Sequence, residues 1–135
     1  MKIKTTSIKQ TATIPATPKQ VYDALMDSEK HSDFTGTKAV IGKKVGTYYS
    51  AYDGYIVGKN LELVPGKKIV QTWIALEDKW PDGHESKITF KLSEKGKGTL
   101  ITFLHEDVPQ VIAKNFVSGW KDYYWNPLKQ YFKMK

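Results

Sequence analysis

Three histidines, His31, His84 and His105, are the side chains best suited to move protons near neutral pH, and each has a carboxylate within two residues. His31 precedes Asp33, His84 precedes Glu85, and His105 precedes Glu106 and Asp107. None of these spacings matches a known metal or nucleophile motif. The sequence holds no HExxH pair, no GxSxG elbow and no phosphate-binding loop. Lys95-Gly96-Lys97-Gly98 reads as a hairpin turn with no helix behind it, so it is not a phosphate cradle. With no cysteine, thiolate catalysis, iron–sulfur clusters, Cys-based zinc sites and disulfides are excluded together. The residues therefore assign no catalytic group, no metal site and no cofactor. Asp107 is better read as a helix cap and Glu106 as its solvated neighbour, and His84-Glu85 follows a turn and is expected at the surface.

The other chemistry-bearing groups are aromatic: four Trp, eight Tyr and five Phe in 135 residues. Such rings build either a packed core or the wall of a site for an apolar ligand. The formal net charge of +7 comes from 21 lysines with no arginine. Sequence-specific duplex readers lean on the guanidinium fork, so no specific nucleic-acid partner is expected. The lysines are spread along the chain, which is the pattern of a solvated face. No segment has signal-peptide character, and no run approaches the ~18 apolar residues of a membrane span. The expectation is one domain over residues 1–135, in the cytoplasm.

Elements that would position these groups follow in a clear order. Residues 2–14 read as a strand ending at Pro15. Thr17, Pro18 and Gln20 form a helix start with capping-box spacing, and Val21, Tyr22, Ala24 and Leu25 recur at helical period, giving a helix over about 18–27. Asp27-Ser28 can end it and cap a second short helix, about 28–34, closed by Gly36. From Lys38 to Asp107 the signals are strand and turn. Turns at Asp53-Gly54, Pro65-Gly66, 81–83 and 95–98 separate runs 47–52, 55–63, 67–77, 84–93 and 99–106. Ile88, Phe90 and Leu92 alternate with Lys87, Thr89 and Lys91, so one face of the sheet is covered. In run 67–77 either parity is possible. A long helix then starts at an Asp107 cap, with Pro109 in its first turn. Its apolar stripe holds Val108, Ile112, Phe116, Gly119, Trp120, Tyr123 and Tyr131, with Tyr124 and Leu128 at the edge. Pro127 predicts a kink near 123–127. The fold class is α+β, a sheet with one face packed on the long helix.

Four segments carry a family resemblance: TIPATPKQVYDALMDSEKHSDFTG (13–36), KIVQTWIAL (68–76), KGTLITFLHEDVP (97–109) and GWKDYYWNPLKQYF (119–132). With the element order, they resemble the activator of heat-shock protein 90 ATPase homolog family, within the START-like, birch-pollen-allergen-like SRPBCC superfamily. The resemblance implies a helix-grip fold: a strongly curved antiparallel sheet of about six to seven strands wrapped around the C-terminal helix, with two short helices after the first strand.

A grip of this kind can enclose a cavity beneath the helix. Its candidate lining is Tyr48, Tyr52, Trp73, Phe90, Ile101, Phe103 and His105 from the strands, and Phe116, Trp120, Tyr123 and Tyr124 from the helix. Trp73 enters through the resemblance rather than through pattern. The implied partner is a small hydrophobic or amphipathic molecule. The same rings serve equally well as packed core, and His105 as a satisfied core histidine. His31 and Asp33 fall near where this fold has its cavity mouth, although exposed surface suits them better. Trp125 and Phe132 fall off the helix stripe, which suggests an interface, either to a partner such as a heat-shock protein 90 chaperone or to a second copy in a homodimer; the alternative is that the Pro127 kink tucks Phe132 in and that Trp125 packs on the first strand or the short helices. Superfamily members also include cyclases and hydrolases, for which Tyr52, Asp53 and His105 would be the catalytic set.

Overall fold

The computed structural model describes residues 3–133. Strand β1 (Thr5–Ile14) leads into helices α1 (Pro18–Met26) and α2 (Ser28–Thr35). Lys2, the first residue of the expected strand, lies outside the described residues. The capping box of α1 forms as read: the Thr17 hydroxyl accepts from the Gln20 N–H, and the Gln20 side chain accepts from the Thr17 N–H. Asp27 ends α1 and caps α2 through the Lys30 N–H, and Gly36 closes α2 in the left-handed conformation.

Strands β2 (Val40–Ile41), β3 (Tyr48–Ala51), β4 (Ile56–Val64), β5 (Lys68–Ala75), β6 (Ser86–Lys95) and β7 (Gly98–Pro109) follow. With β1 they make one antiparallel sheet in the order β1-β7-β6-β5-β4-β3-β2. Its covered face carries Ile8, Ala12 and Ile14 of β1, Ile101, Phe103 and His105 of β7, and Ile88, Phe90 and Leu92 of β6. Ile69, Gln71, Trp73 and Ala75 face the same way, which resolves the ambiguous parity of β5. Every described lysine except half-buried Lys68 is exposed, as a solvated face requires.

The C-terminal helix differs from the sequence reading at its start and in its phase. β7 runs on to Pro109, which pairs with Thr5, so Asp107 caps nothing. Between the pairs Thr6↔Val108 and Ile8↔His105, β7 carries one residue more than β1. Asp107 sits in this bulge at φ 59°, a conformation that Asp tolerates better than most residues. The helix begins only at Ala113, as α3 (Ala113–Trp120), after turns closed by Ile112 N–H to Pro109 O and Ala113 N–H to Gln110 O. A π-helical turn (Lys121–Trp125) then joins α3 to α4 (Asn126–Lys133), with the Asn126 N–H donating to Lys121 O. The widened turn lies just ahead of Pro127, where the kink was expected.

That turn shifts the buried stripe, leaving Tyr123 at the rim of a cleft rather than in the core. Phe116, Trp120, Tyr124, Trp125 and Leu128 are buried, whereas Tyr123, placed in the stripe by a uniform helical period, is 59% exposed. Trp125 is 3% exposed, packs on Phe103 at 5.1 Å and donates its indole N–H to Gln10 Oε1 of β1 at 2.7 Å. Its ring therefore faces the sheet and is withdrawn from any outside partner.

Candidate functional site

The strand alternation that makes Tyr49 and Ala51 face the core ends at Ala51. Tyr52, Asp53 and Gly54 then have φ of 51°, 56° and 88°. A bulky residue at positive φ costs on the order of 1–3 kcal/mol. The turn re-aims Tyr52 toward the C-terminal helix, where its hydroxyl donates to the Tyr123 carbonyl. That carbonyl lies in the π-turn just ahead of Pro127, which has no N–H to give to the carbonyls of the preceding turn.

Between this turn, β5 and the helix lies an open cleft of about 440 Å³. Tyr52, Tyr55 and Ile56 come from the β3–β4 connection and the start of β4, Trp73 from β5, and Glu77 from just beyond it. Asn115, Phe116, Gly119, Trp120, Tyr123 and Tyr124 come from α3 and the π-turn. The Tyr55 hydroxyl donates to the Glu77 carboxylate across the mouth. Burial pushes the Tyr52 phenol up to about 12, with Tyr123 adding to the shift. Tyr55 is raised by burial and by Glu77, and Tyr124 by burial and by Tyr52. These phenols stay protonated at neutral pH and act as hydrogen-bond donors.

Two buried histidines hold the back of the cleft. His105 is 0% exposed, and its Nδ1 accepts from the Trp120 indole N–H at 3.1 Å. An indole only donates, so Nε2 carries the proton of the neutral ring. Nε2–H donates to Ser86 Oγ at 2.8 Å, and that hydroxyl donates to the Trp73 carbonyl at 2.6 Å. His31 repeats the device: Nδ1–H donates to Leu25 O at 3.0 Å, and Nε2 accepts from the Tyr124 hydroxyl at 3.0 Å. Burial holds His105 at a pKa of about 3 and His31 at about 4, with the Leu25 bond opposing the shift of the latter. Both are neutral structural groups. The expectation that His31 belongs to exposed surface fails, because α2 turns it inward against Phe34 and Tyr124.

Of the eleven lining residues expected from sequence, six border the cleft: Tyr52, Trp73, Phe116, Trp120, Tyr123 and Tyr124. Phe90, Ile101, Phe103 and His105 lie behind it as packed core. Tyr48 points to the opposite face of the sheet and is 73% exposed, since its parity is opposite to that of Tyr49. Phe132 is half-buried beside Tyr131 at 5.0 Å. His84, expected at the surface, is half-buried with Nε2 at 2.7 Å from Asp107 O. Tyr52, Asp53 and His105 do not assemble as a catalytic set, because neither His105 nor exposed Asp53 borders the cleft. Among the described residues, no three His, Asp or Glu side chains converge to hold a metal ion. Sequence reasoning missed Tyr55, Ile56, Glu77 and Asn115. It placed Gly119 in the stripe without seeing that a glycine among rings opens space.

A seven-stranded antiparallel sheet gripping a C-terminal helix, with an aromatic cleft between them, defines a helix-grip fold. The chain belongs to the family described as "Activator of Hsp90 ATPase homolog 1-like protein", whose sequence profile matches residues 15–133. It is 29% identical over 132 residues to the human activator of 90 kDa heat shock protein ATPase homolog 1, covering 98% of this chain and 38% of that one. It is 32% identical over 118 residues to the Dictyostelium discoideum activator homolog, covering 87% of this chain and 30% of that one. The chain thus spans well under half the length of these relatives. A solved Plasmodium falciparum structure described as an HSP90 activator superposes with a TM-score of 0.85 at 21% identity, covering 94% of this chain and 96% of that chain. At that identity the likeness is one of fold.

Proposed function

We propose that this protein is a binding module that holds a small apolar or amphipathic molecule in the cleft between sheet and helix. The observation that carries the reading is that the cleft stays open while its back wall is fixed. Trp120 and Tyr124 pack on each other at 4.9 Å and are each tied to a buried histidine, so this wall is anchored behind the cleft rather than free to swing into it. A volume of about 440 Å³ falls within the usual range for small-molecule sites. Thermal-shift and native mass-spectrometry screens against lipids, sterols and aromatic metabolites test it. A hit should raise the melting temperature and shift tryptophan fluorescence, because Trp73 and Trp120 line the site. A panel with no bound species overturns the reading.

The second reading is a co-chaperone-like protein that binds a heat-shock protein 90 and modulates its ATPase. It is favoured by the human and Dictyostelium discoideum relatives, both named homologs of an activator of that ATPase, whose matches cover most of this chain. Half-buried Phe132 remains the candidate interface residue from the sequence. ATPase assays of the source organism's own chaperone with added protein decide it: stimulation supports it, and an unchanged rate without pull-down removes it. Both readings are compatible with the cytoplasmic location expected from the sequence, and a chain that uses no cysteine fits a reducing compartment.

A further inference from the structure

We infer that the cleft selects a molecule bearing an organic ammonium group on an apolar body, an inference that rests on the ligand-binding reading above. The lining is aromatic on several sides: Tyr52, Tyr55, Trp73, Phe116, Trp120 and Tyr123 all border it. The rings meet at steep angles, 79° between Tyr52 and Tyr123 and 80° between Trp73 and Phe116, so they form corners rather than one flat stack. Among the described residues, Glu77 is the one charged residue in this lining. It is half-buried at the mouth, held by the Tyr55 hydroxyl through Oε2, and a carboxylate has lone pairs to spare beyond that bond.

The sign is opposite to that of the molecule. The chain carries 21 lysines, yet none of the described ones borders the cleft, and the helix lysines Lys114 and Lys121 are exposed outside it. An anionic ligand such as a fatty acid would meet a carboxylate and the negative faces of rings. An ammonium would meet a counter-charge and cation–π attraction at once, in a partly desolvated site where both are strongest. The Asn115 amide adds a neutral donor that suits an ester or ether beside the cation, whereas the Tyr52 and Tyr55 hydroxyl protons are already given to the Tyr123 carbonyl and to Glu77.

A matched pair of probes tests this: butyrylcholine against 3,3-dimethylbutyl butyrate, which replaces the cationic nitrogen by carbon. Titration of the full chain, read by calorimetry and tryptophan fluorescence, should give the cation an affinity at least about tenfold higher. In Glu77→Gln, which keeps an acceptor for Tyr55, that preference should fall below about threefold, chiefly through loss of affinity for the cation. Equal binding of the two esters by the wild-type protein overturns the cation preference and leaves the ligand cleft standing. Tighter binding of an anionic analogue, or a preference that survives Glu77→Gln, also overturns it. Silence from both esters when other molecules bind in the cleft overturns it as well. Silence from every molecule removes the ligand-binding reading itself.

Discussion

Trp120 and Tyr124 stand one helical turn apart, and each ends on a buried histidine, His105 at 0% exposure and His31 at 5%. The consequence is a stability that depends on pH. In the unfolded chain both imidazoles titrate near 6.5, whereas folding holds His31 at about 4 and His105 at about 3. Between these values the unfolded chain takes up protons that the folded chain refuses. The stabilisation is therefore complete above pH 6.5 and is lost as pH falls toward 4 and below. The slope should approach about 1.4 kcal/mol per pH unit for each histidine. Urea midpoints at about pH 7 and about pH 5 measure the loss, and NMR of the ring protons checks its origin. Signals of His31 and His105 that titrate near 6.5 would refute the assignment. His105 was legible as an inward residue because β7 alternates cleanly around Phe103. His31 was not legible, because SEKHSDFT has too little apolar pattern and its Tyr124 partner lies 93 positions away.

The three strands nearest the cleft depend on a glycine whose role lies in its missing side chain. A Cβ built on Gly58 of β4 would lie 2.0 Å from the Thr72 carbonyl oxygen and 2.6 Å from the Tyr49 ring. The Tyr49 hydroxyl donates to that same carbonyl at 2.7 Å, so β3, β4 and β5 are locked over the gap. Backbone cannot step aside as a flexible side chain can. Gly58→Ala should therefore cost about 3 kcal/mol, the upper end of overpacking. A shifted urea midpoint with an unchanged slope reports it, and a loss under about 0.5 kcal/mol would contradict it. Elements of this kind were readable wherever local chemistry decides. The capping box at Thr17–Gln20, the Asp27 cap and the Asp53-Gly54 turn all formed where their residues said. Two elements escaped because a distant partner sets them. Asp107 looks like a cap until β1 pairs past it, and the π-turn looks like ordinary helix until both Tyr124 and Trp125 must be buried. The missed phase put Tyr123 inside and Trp125 outside, the reverse of their places, and the lost parity at Tyr52 put Tyr48 in the cleft.

Taken whole, the molecule separates its two abundant chemistries, with lysine outside and aromatic rings between sheet and helix. The open matter at this scale is whether the gap among those rings is kept for a guest or is merely loose packing. Gly119 offers a direct test. It sits in α3 on the cleft side, and a Cβ added there would meet nothing nearer than Tyr123 Cδ2 at 4.0 Å. Glycine in a helix interior is disfavoured by up to about 1 kcal/mol relative to alanine or leucine. A larger side chain would thus favour the helix and bury apolar surface in vacant space, so on folding grounds alone glycine is the poorer residue here. Gly119→Leu should leave stability unchanged or raise it by up to about 1 kcal/mol. It should also abolish binding of any molecule that wild-type protein takes into the cleft. Chemical denaturation and ligand titration on the same sample read both halves. A variant that binds as wild type places the ligand elsewhere. A variant that unfolds earlier shows that the helix needs glycine to approach its neighbours, and the gap is then packing rather than a site. Retained stability with lost binding would mean that the molecule keeps an opening which folding alone would close.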